Sequence, residues 1–179
     1  MTKRILGMVL ASLLLLSCAL EPTIQAPSDS SKRQADLTLF EATYTFGFSK
    51  GGPLAVGAKE LAFLEEQNEA VMNDLTFTGY DEGGKAYLQG RAENAVISTD
   101  TYDAHLKGGV EVQHLDEDIH IFAEELLWSD EQQTLRSSKD TLATIIIDEE
   151  ITLTGLGLMI DFTTLEVRFE KIIEGTVRR

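Results

Sequence analysis

The chain is poor in cysteine, proline, tryptophan and basic residues. It contains one cysteine, three prolines and one tryptophan, and 15 Lys and Arg residues stand against 30 Asp and Glu residues. A single cysteine excludes disulfides within the chain and zinc sites built from several cysteines. A formal net charge of −15 leaves no basic face to attract phosphates. The composition therefore excludes nucleic acid as a partner.

The chain also lacks an apolar run of comfortable membrane-spanning length. Its longest run, residues 5–16, follows Lys3 and Arg4 and matches the apolar part of a secretory signal peptide. The end of this run and the residues after it, Leu15-Leu16-Ser17-Cys18, resemble the lipobox of bacterial lipoproteins, although a small or β-branched residue is commoner where Leu16 stands. We predict cleavage before Cys18 and acylation of Cys18, which would anchor the protein to a membrane facing the periplasm. A plain signal peptide cut further along is the alternative.

The composition predicts three regions. Residues 1–17 form the lipoprotein signal peptide. Residues 18–36 hold two of the three prolines and a Ser/Asp cluster, which is typical of a flexible linker. Residues 37–177 are rich in β-branched and aromatic residues and have the length of one domain.

The dominant period in this domain is two, which predicts half-buried β-strands. The first segment places Phe40, Tyr44, Phe46 and Phe48 at even-numbered positions, which would lie on one face of a strand. Residues 81–84 are predicted to form a hairpin turn. Residues 59–66 have helix-forming composition, which weakens the strand prediction there. The remaining strands are predicted at residues 61–64, 73–78, 87–90, 92–98, 102–106, 110–115, 119–123, 126–129, 142–147, 151–154, 156–162, 165–169 and 172–177. Many short strands without a convincing helix predict an all-β sandwich, roll or barrel.

A weak internal repeat runs through the second half of the domain. A small residue stands two positions after an apolar one at Gly90, Ala123 and Gly155. These three places are about 32 to 33 residues apart. Such an echo indicates β-strand layers wound one on another.

Several segments together resemble the LptC family, the periplasmic component C of the lipopolysaccharide-transport machinery. They are residues 52–56, 60–63, 87–97, 102–106, 107–112, 121–128, 153–161 and 169–177. The resemblance covers about residues 37–177, and the order and spacing of the segments are its specific part. It implies a twisted β-jellyroll of many short antiparallel strands, open along one side, with an apolar interior groove. It also implies a carrier and not an enzyme.

The resemblance further implies where lipid and partners bind. Lipopolysaccharide, or a related glycolipid, would pass through the groove from an inner-membrane ABC transporter to an LptA-like periplasmic bridge protein. Edge strands would make both handovers by strand addition. The lipid-groove candidates are Phe40, Tyr44, Phe46, Phe48, Phe122, Trp128, Ile146, Gly155, Gly157, Leu158, Ile160 and Phe169. The partner-edge candidates are Leu165, Val167, Ile173 and Val177.

Two alternatives accompany these residue predictions. The aromatic and aliphatic side chains are also typical of an ordinary core, and Gly155 and Gly157 are also typical of strand starts or bulges.

Since an acidic protein repels phosphorylated lipid, lipid binding would depend on the burial of apolar surface, with the lipid headgroups outside the groove or bridged by cations. Many family members carry an N-terminal transmembrane helix, for which a lipid on Cys18 would substitute here. Placement at the inner membrane rests on the resemblance alone.

No motif indicates catalysis or a metal. His105, His114 and His120 lack the spacing of known metal motifs. Ser137-Ser138-Lys139-Asp140 lacks a glycine elbow and reads as a turn. We therefore predict no enzyme activity, no metal and no cofactor. The other hypotheses are a scaffold lipoprotein that uses only its sheet edges for assembly, and a surface-exposed adhesin-like lipoprotein.

Overall fold

The computed structural model describes residues 35–47 and 52–178. The predicted signal peptide, Cys18, nearly all of the linker and Phe48 lie outside the described residues. The strands are β1 (Leu37–Gly47), β2 (Pro53–Leu64), β3 (Glu69–Tyr80), β4 (Ala86–Ser98), β5 (Ala104–His114), β6 (Ile119–Ser129), β7 (Thr134–Arg136), β8 (Leu142–Ile147), β9 (Ile151–Asp161) and β10 (Glu166–Val177), with a 3-10 turn at Glu65–Gln67. The predicted all-β class is confirmed.

The described strands form one antiparallel sheet whose neighbours follow chain order. β1 to β6 pair successively, β7 and β8 both pair with β6 and β9, and β10 pairs with β9. β1 and β10 are therefore the two edges, and no pairing joins them within the described part of the chain. The structure is a jellyroll that remains open between its first and last strands.

Each long strand bends once, and the bends form a line across the sheet. Along most of each strand, buried residues alternate with outward-facing ones. In β3 the buried residues are Ala70, Met72, Leu75 and Phe77, so that Asn73 and Asp74 both face outward. The outward-facing residues at the bends are 40–41, 59–60, 73–74, 93–94, 107–109, 124–125, 156–157 and 170–171. We name this line the kink line.

The backbone at the kink line adopts left-handed conformations at several positions. Glu41 and Asp74 have φ of 48° and 47°, and Gly157 has φ of 63°. This left-handed region is uncommon for residues other than glycine and costs free energy. Because the long strands bend where two consecutive side chains point outward, each long strand contributes to two sheets that share one interior, whereas the short strands β7 and β8 belong to one sheet each.

The two sheets face each other across a common core. Sheet 1 holds the strand segments 42–47, 53–58, 75–80, 86–91, 110–114, 119–123, 142–147, 151–156 and 171–177. Sheet 2 holds 37–40, 60–64, 69–73, 94–98, 104–107, 125–129, 134–136, 158–161 and 166–169. Buried side chains of both belong to one hydrophobic cluster, including Ile121 and Ile145 of sheet 1 and Leu126 and Leu158 of sheet 2. No helix among the described residues is long and apolar enough to cross a membrane.

The strands are longer and fewer than the sequence pattern predicts. The predicted breaks at residues 91, 107–109, 124–125, 155 and 170–171 lie at or beside the kink line, where strands β4, β5, β6, β9 and β10 bend and continue. Residues 59–64, whose composition favours a helix, belong to strand β2. Pairing on both sides, with β1 and β3, overrides that local preference.

Candidate functional site

A cavity of about 250 Å³ lies between the two sheets. Sheet 1 contributes Leu54, Val56, Leu75, Phe77, Gly79, Tyr87, Leu88, Val112 and His114, and sheet 2 contributes Ala95, Ile97, Ala104, Leu106, Trp128 and Leu135, with Gly52, Pro53, Asp130, Gln133 and Phe162 beside them. Most of these side chains are apolar. Apolar walls with a few polar groups are typical of sites that bind small molecules or lipid chains.

A row of rings joins the two sheets at one end of this cavity. The centroids of Tyr87 and His114 are 5.8 Å apart, and His114 stacks on Phe162 at 6.0 Å with an interplanar angle of 20°. Phe162 in turn meets Trp128 edge-on at 5.8 Å. Because Tyr87 and His114 end sheet 1 and Trp128 and Phe162 end sheet 2, these contacts hold the far ends of the sheets together.

Besides Phe169, which packs against the core, five of the predicted groove residues have side chains on the inner face. Phe46, Leu158 and Ile160 are buried in the core, and Trp128 lines the cavity. Tyr44 is 40% exposed and packs edge-on against Phe46, with 4.8 Å between ring centroids. The structure therefore makes three of them core residues, whereas Trp128 and Tyr44 keep surface that a ligand could contact.

Gly155 and Phe169, both predicted groove residues, lie against each other. A Cβ on Gly155 would be 2.7 Å from Cδ1 of Phe169 and 2.6 Å from the carbonyl oxygen of Lys171. The ring of Phe169 thus covers the bare backbone of β9. Gly157 lies on the kink line, where its positive φ favours glycine and a Cβ would meet the side chain of Glu170.

Three other predicted groove residues point away from the interior. Phe40 is 70% exposed and Phe122 is 37% exposed, and Ile146 pairs with His120 and Thr152 on the outer face. The expectation that Phe40 shares a face with Tyr44 and Phe46 is wrong, because the bend at Glu41 reverses the alternation. Phe122 and Trp128, six residues apart on β6, lie on opposite faces for the same reason.

The predicted partner residues lie on β10 or in the turn before it. Val167 packs against the core, whereas Ile173 and Val177 are 57% and 65% exposed. Leu165 precedes the strand, with φ of 55°. Of the nine large apolar side chains exposed among the described residues, seven are on or beside the edge strands, namely Leu37, Phe40, Tyr44, Leu165, Ile172, Ile173 and Val177. Exposed apolar edges are typical of strands that pair with another chain.

A polar cluster on the outer face bridges the interval between β7 and β8. The carboxylate of Glu125 on β6 accepts a hydrogen bond of 2.9 Å from Ser138 Oγ, contacts the ring of His105, and lies 3.4 Å from Lys107 Nζ. The neighbouring Ser137 Oγ accepts the N–H of Leu158 on β9 at 2.9 Å. Residues 137 and 138, between β7 and β8, thus connect β6 to β9 where neither β7 nor β8 lies between those two strands.

Replacing Glu125 with glutamine should weaken this connection in a pH-dependent way. The hydrogen bond from Ser138, followed by His105 and Lys107, lowers the pKa of Glu125 below its ordinary value of 4.5. A lowered folded-state pKa stabilises the protein above the ordinary value, and the stabilisation is lost as the pH falls through the folded-state pKa. We expect Glu125→Gln to lower the free energy of unfolding by about 1 kcal/mol near neutral pH.

Urea denaturation of both proteins at neutral pH and at about pH 3 tests this expectation. The difference between them should shrink at the lower pH. The exposed neighbour Glu124 supplies the control, since Glu124→Gln should change stability little at either pH. An equal loss at both pH values would show that packing, and not the charge, is responsible.

No group of three or more His, Cys, Asp or Glu side chains is arranged to hold a metal ion in residues 35–47 and 52–178. The three histidines His105, His114 and His120 each make a different contact. His105 contacts Glu125, His114 belongs to the row of rings, and His120 bonds Gln113 at 2.9 Å.

The described residues form an open two-sheet β-jellyroll with an apolar interior and exposed edge strands. The family model described as lipopolysaccharide-assembly, LptC-related, matches residues 5–177. The chain belongs to the LptC family, and this membership assigns it to lipopolysaccharide assembly.

A solved structure supports the fold independently. The chain is similar to LptH from Pseudomonas aeruginosa, the LptA-homologous periplasmic component of the conserved lipopolysaccharide transport device. The TM-score is 0.59 at 12% sequence identity, over 71% of this chain and 96% of that chain. No curated protein matches the sequence significantly. At this identity the likeness concerns the fold alone.

Proposed function

We propose that this protein is a lipid-anchored periplasmic carrier. It receives lipopolysaccharide, or a related glycolipid, from an inner-membrane ABC transporter and passes it to an LptA-like bridge protein for outer-membrane assembly. The anchor would be an acylated Cys18, with residues 19–36 setting the reach from the membrane. LptH, which shares the fold, is described as a periplasmic component of such a device.

The observation that carries the proposal is the apolar cavity between the two sheets. Burying one methylene contributes about 0.8 kcal/mol to the free energy of binding. An acyl chain that packs among Leu54, Phe77 and Leu106 would therefore gain affinity with each methylene that it buries. The cavity of about 250 Å³ is smaller than the roughly 300–1,000 Å³ of common ligand pockets. It therefore fits part of one acyl chain, and the rest of a glycolipid would lie outside it. A scaffold that uses only its edges has no need of such a cavity.

The lone tryptophan, Trp128, supplies a direct test because it lines the cavity. Lipopolysaccharide with spin-labelled acyl chains should quench the emission of Trp128 when it binds. The double variant Trp128→Phe/Phe122→Trp moves the indole to the outer face of the same strand and should lose most of the quenching. Binding without quenching of Trp128 would contradict an acyl chain in the cavity.

The open edge of β10 supports docking of a partner strand. Arg178 N–H donates to the carbonyl of Glu150 at 2.8 Å, so alternation along the strand directs the N–H groups of Val177 and Gly175 away from β9. A neighbouring strand could pair with these free groups. Ile173 and Val177, both more than half exposed, would pack against it.

Replacing Val177 with proline should therefore abolish docking without unfolding the protein. Proline removes one outward N–H and leaves the bonds to β9 intact, so stability should change by less than about 0.5 kcal/mol. Binding of an LptA-like protein should be lost, as measured by co-purification. Val177→Thr keeps the N–H and serves as the control. Undiminished binding by the proline variant would contradict docking at this edge.

A further inference from the structure

A second concavity, of about 300 Å³, lies on the outer face of sheet 1. Residues of four neighbouring strands, β3 to β6, line it, and most of the lining side chains are polar. With strands about 4.8 Å apart, four strands span about 14 Å, which is the length of a short linear molecule. We name this concavity the outer pocket.

The register of the strands arranges the outward side chains of this pocket in two rows across the sheet. One row consists of Thr76, Arg91, Glu111 and Phe122, and the other of Thr78, Gln89, Gln113 and His120. Each member of a row is paired directly with the next one on the neighbouring strand. Side chains paired in this way lie within contact distance, so the pocket presents two continuous lines of hydrogen-bonding groups.

Hydrogen bonds between neighbours hold these planar side chains in place. The guanidinium of Arg91 donates to the carboxylate of Glu111. Gln89 Nε2 donates to Gln113 Oε1 at 2.6 Å, and Gln113 Nε2 lies 2.9 Å from His120 Nε2. A guanidinium, a carboxylate and an amide each have several hydrogen-bonding positions, and these bonds use only part of that capacity. A ligand would therefore meet groups that are already ordered, which lowers the entropy cost of binding.

The charges of Arg91 and Glu111 cancel within the pocket. Their hydrogen bond raises the pKa of Arg91 and lowers the pKa of Glu111, so both groups stay charged near neutral pH. The chain as a whole carries a formal net charge of −15, which repels an anionic ligand. The electrostatics of the outer pocket therefore favour a neutral ligand with many hydrogen-bonding groups.

The ring of Phe122 borders the two rows. It is partly exposed and is paired with Glu111 on one side and with Thr144 on the other. The face of an aromatic ring is negative and attracts polarised C–H groups. Hydroxyl groups both donate and accept hydrogen bonds. A sugar ring, which has C–H groups on its face and hydroxyls at its edge, matches an aromatic ring beside paired polar side chains.

We propose that the outer pocket binds a neutral, linear saccharide chain of a few sugar units. Hydroxyls at the edges of the sugars bond the Arg91–Glu111 pair and the Gln89–Gln113 pair, and one sugar face lies on Phe122. The chain is a molecule separate from the transported glycolipid, because the phosphates of lipopolysaccharide are repelled by an acidic protein. This site goes beyond the proposed function, since it lies outside the lipid cavity and would hold the carrier against a polysaccharide.

Four trisaccharides test the proposal by nuclear magnetic resonance on the intact chain labelled with 15N. Three are neutral, namely cellotriose, maltotriose and triacetylchitotriose, and trigalacturonate is the anionic probe of matched length. At least one neutral probe should shift the side-chain amide signals of Gln89 and Gln113 to saturation. Trigalacturonate should bind at least about tenfold more weakly than that probe. Lipopolysaccharide added afterwards should leave the neutral probe bound.

Three variants locate the binding. Gln113→Ala removes a bond on each side and should weaken the neutral probe about tenfold, and Phe122→Ala should weaken it several-fold. Thr152→Ala is the control, since Thr152 lies on the same outer face beyond the pocket and should change nothing. Gln113→Ala should also leave the quenching of Trp128 by spin-labelled lipopolysaccharide unchanged.

Three results would overturn the proposal. They are failure of all three neutral probes to bind, equal binding of trigalacturonate, and displacement of the neutral probe by lipopolysaccharide. The first two would show an ordinary solvated sheet face or a site for anions, and the third would assign the pocket to the saccharide of the glycolipid. Each would leave the proposed lipid carrier in place, because the quenching of Trp128 tests the cavity separately.

Discussion

Replacing Phe77 with alanine is expected to lower the free energy of unfolding by about 3–5 kcal/mol. Phe77 is 8% exposed, and its ring lies over Gly90 on the neighbouring strand, where a Cβ would be 2.3 Å from its Cζ. Glycine has no side chain with which to fill the space that alanine would leave. The loss would therefore combine the transfer of the ring with an unrelaxed void. Urea denaturation measures the effect.

The same substitution should enlarge the cavity, because Phe77 also lines it. Below the denaturation midpoint, the variant should still bind acyl probes, with affinity equal to or above that of the wild type. Phe122→Ala is the matched control, since Phe122 lies on the outer face and is 37% exposed. Its stability should fall by less than about 1 kcal/mol. A Phe77 variant as stable as this control would contradict the packing described for the interior.

Replacing Gly155 with valine is the second large effect that we expect. Its Cβ would come within 2.6 Å of the carbonyl oxygen of Lys171, a backbone atom, and 2.7 Å of the ring of Phe169. The carbonyl oxygen cannot move without disturbing the pairing of β10 with β9, and the ring of Phe169 would have to rotate away from the core. We expect a loss of about 1–3 kcal/mol in the free energy of unfolding and faster amide hydrogen exchange in β10.

Gly47 supplies the matched control for this substitution. It also lies in an edge strand, but a Cβ there would meet nothing within 4 Å. Gly47→Val should leave stability and hydrogen exchange close to those of the wild type. If Gly155→Val slowed or left unchanged the exchange of β10 amides, the close approach of the two strands would be wrong.

Much of the fold follows from local signals in the sequence. Alternation of apolar and polar residues predicts the all-β class, and the turn at residues 81–84 does join β3 to β4, with Gly84 at φ of 80°. The bends are harder to recognise, because a pair of outward residues such as Glu124 and Glu125 looks like a strand end. The register across neighbouring strands, which the sequence does not show, makes it a bend instead.

The internal repeat has a physical explanation in the structure. Gly90, Ala123 and Gly155 all face inward in sheet 1, close to the kink line. Where a sheet bends toward its own interior, small side chains leave room for neighbours. The rings of Phe77 and Phe169 lie over the two glycines of the series.

The candidate site is less predictable than the fold because each bend exchanges the two faces of a strand. Phe40, Phe122 and Ile146 have the residue types of a groove and point outward. Asp130 and Gln133 line the cavity but look like ordinary turn residues in the sequence. Two adjacent polar residues inside an alternating strand are the signal that would have located five of the bends, at residues 59–60, 73–74, 93–94, 124–125 and 170–171.

Photo-crosslinking from two positions on β6 tests the central claim most directly. Benzoylphenylalanine would replace either Trp128, which lines the cavity, or Phe122, in cells that make lipopolysaccharide. The two positions are aromatic, lie on one strand and would share a face if β6 did not bend. We predict crosslinks to lipopolysaccharide from position 128 and few or none from position 122. Crosslinks from position 122 that equal or exceed those from position 128 would contradict a carrier that holds its lipid between the two sheets.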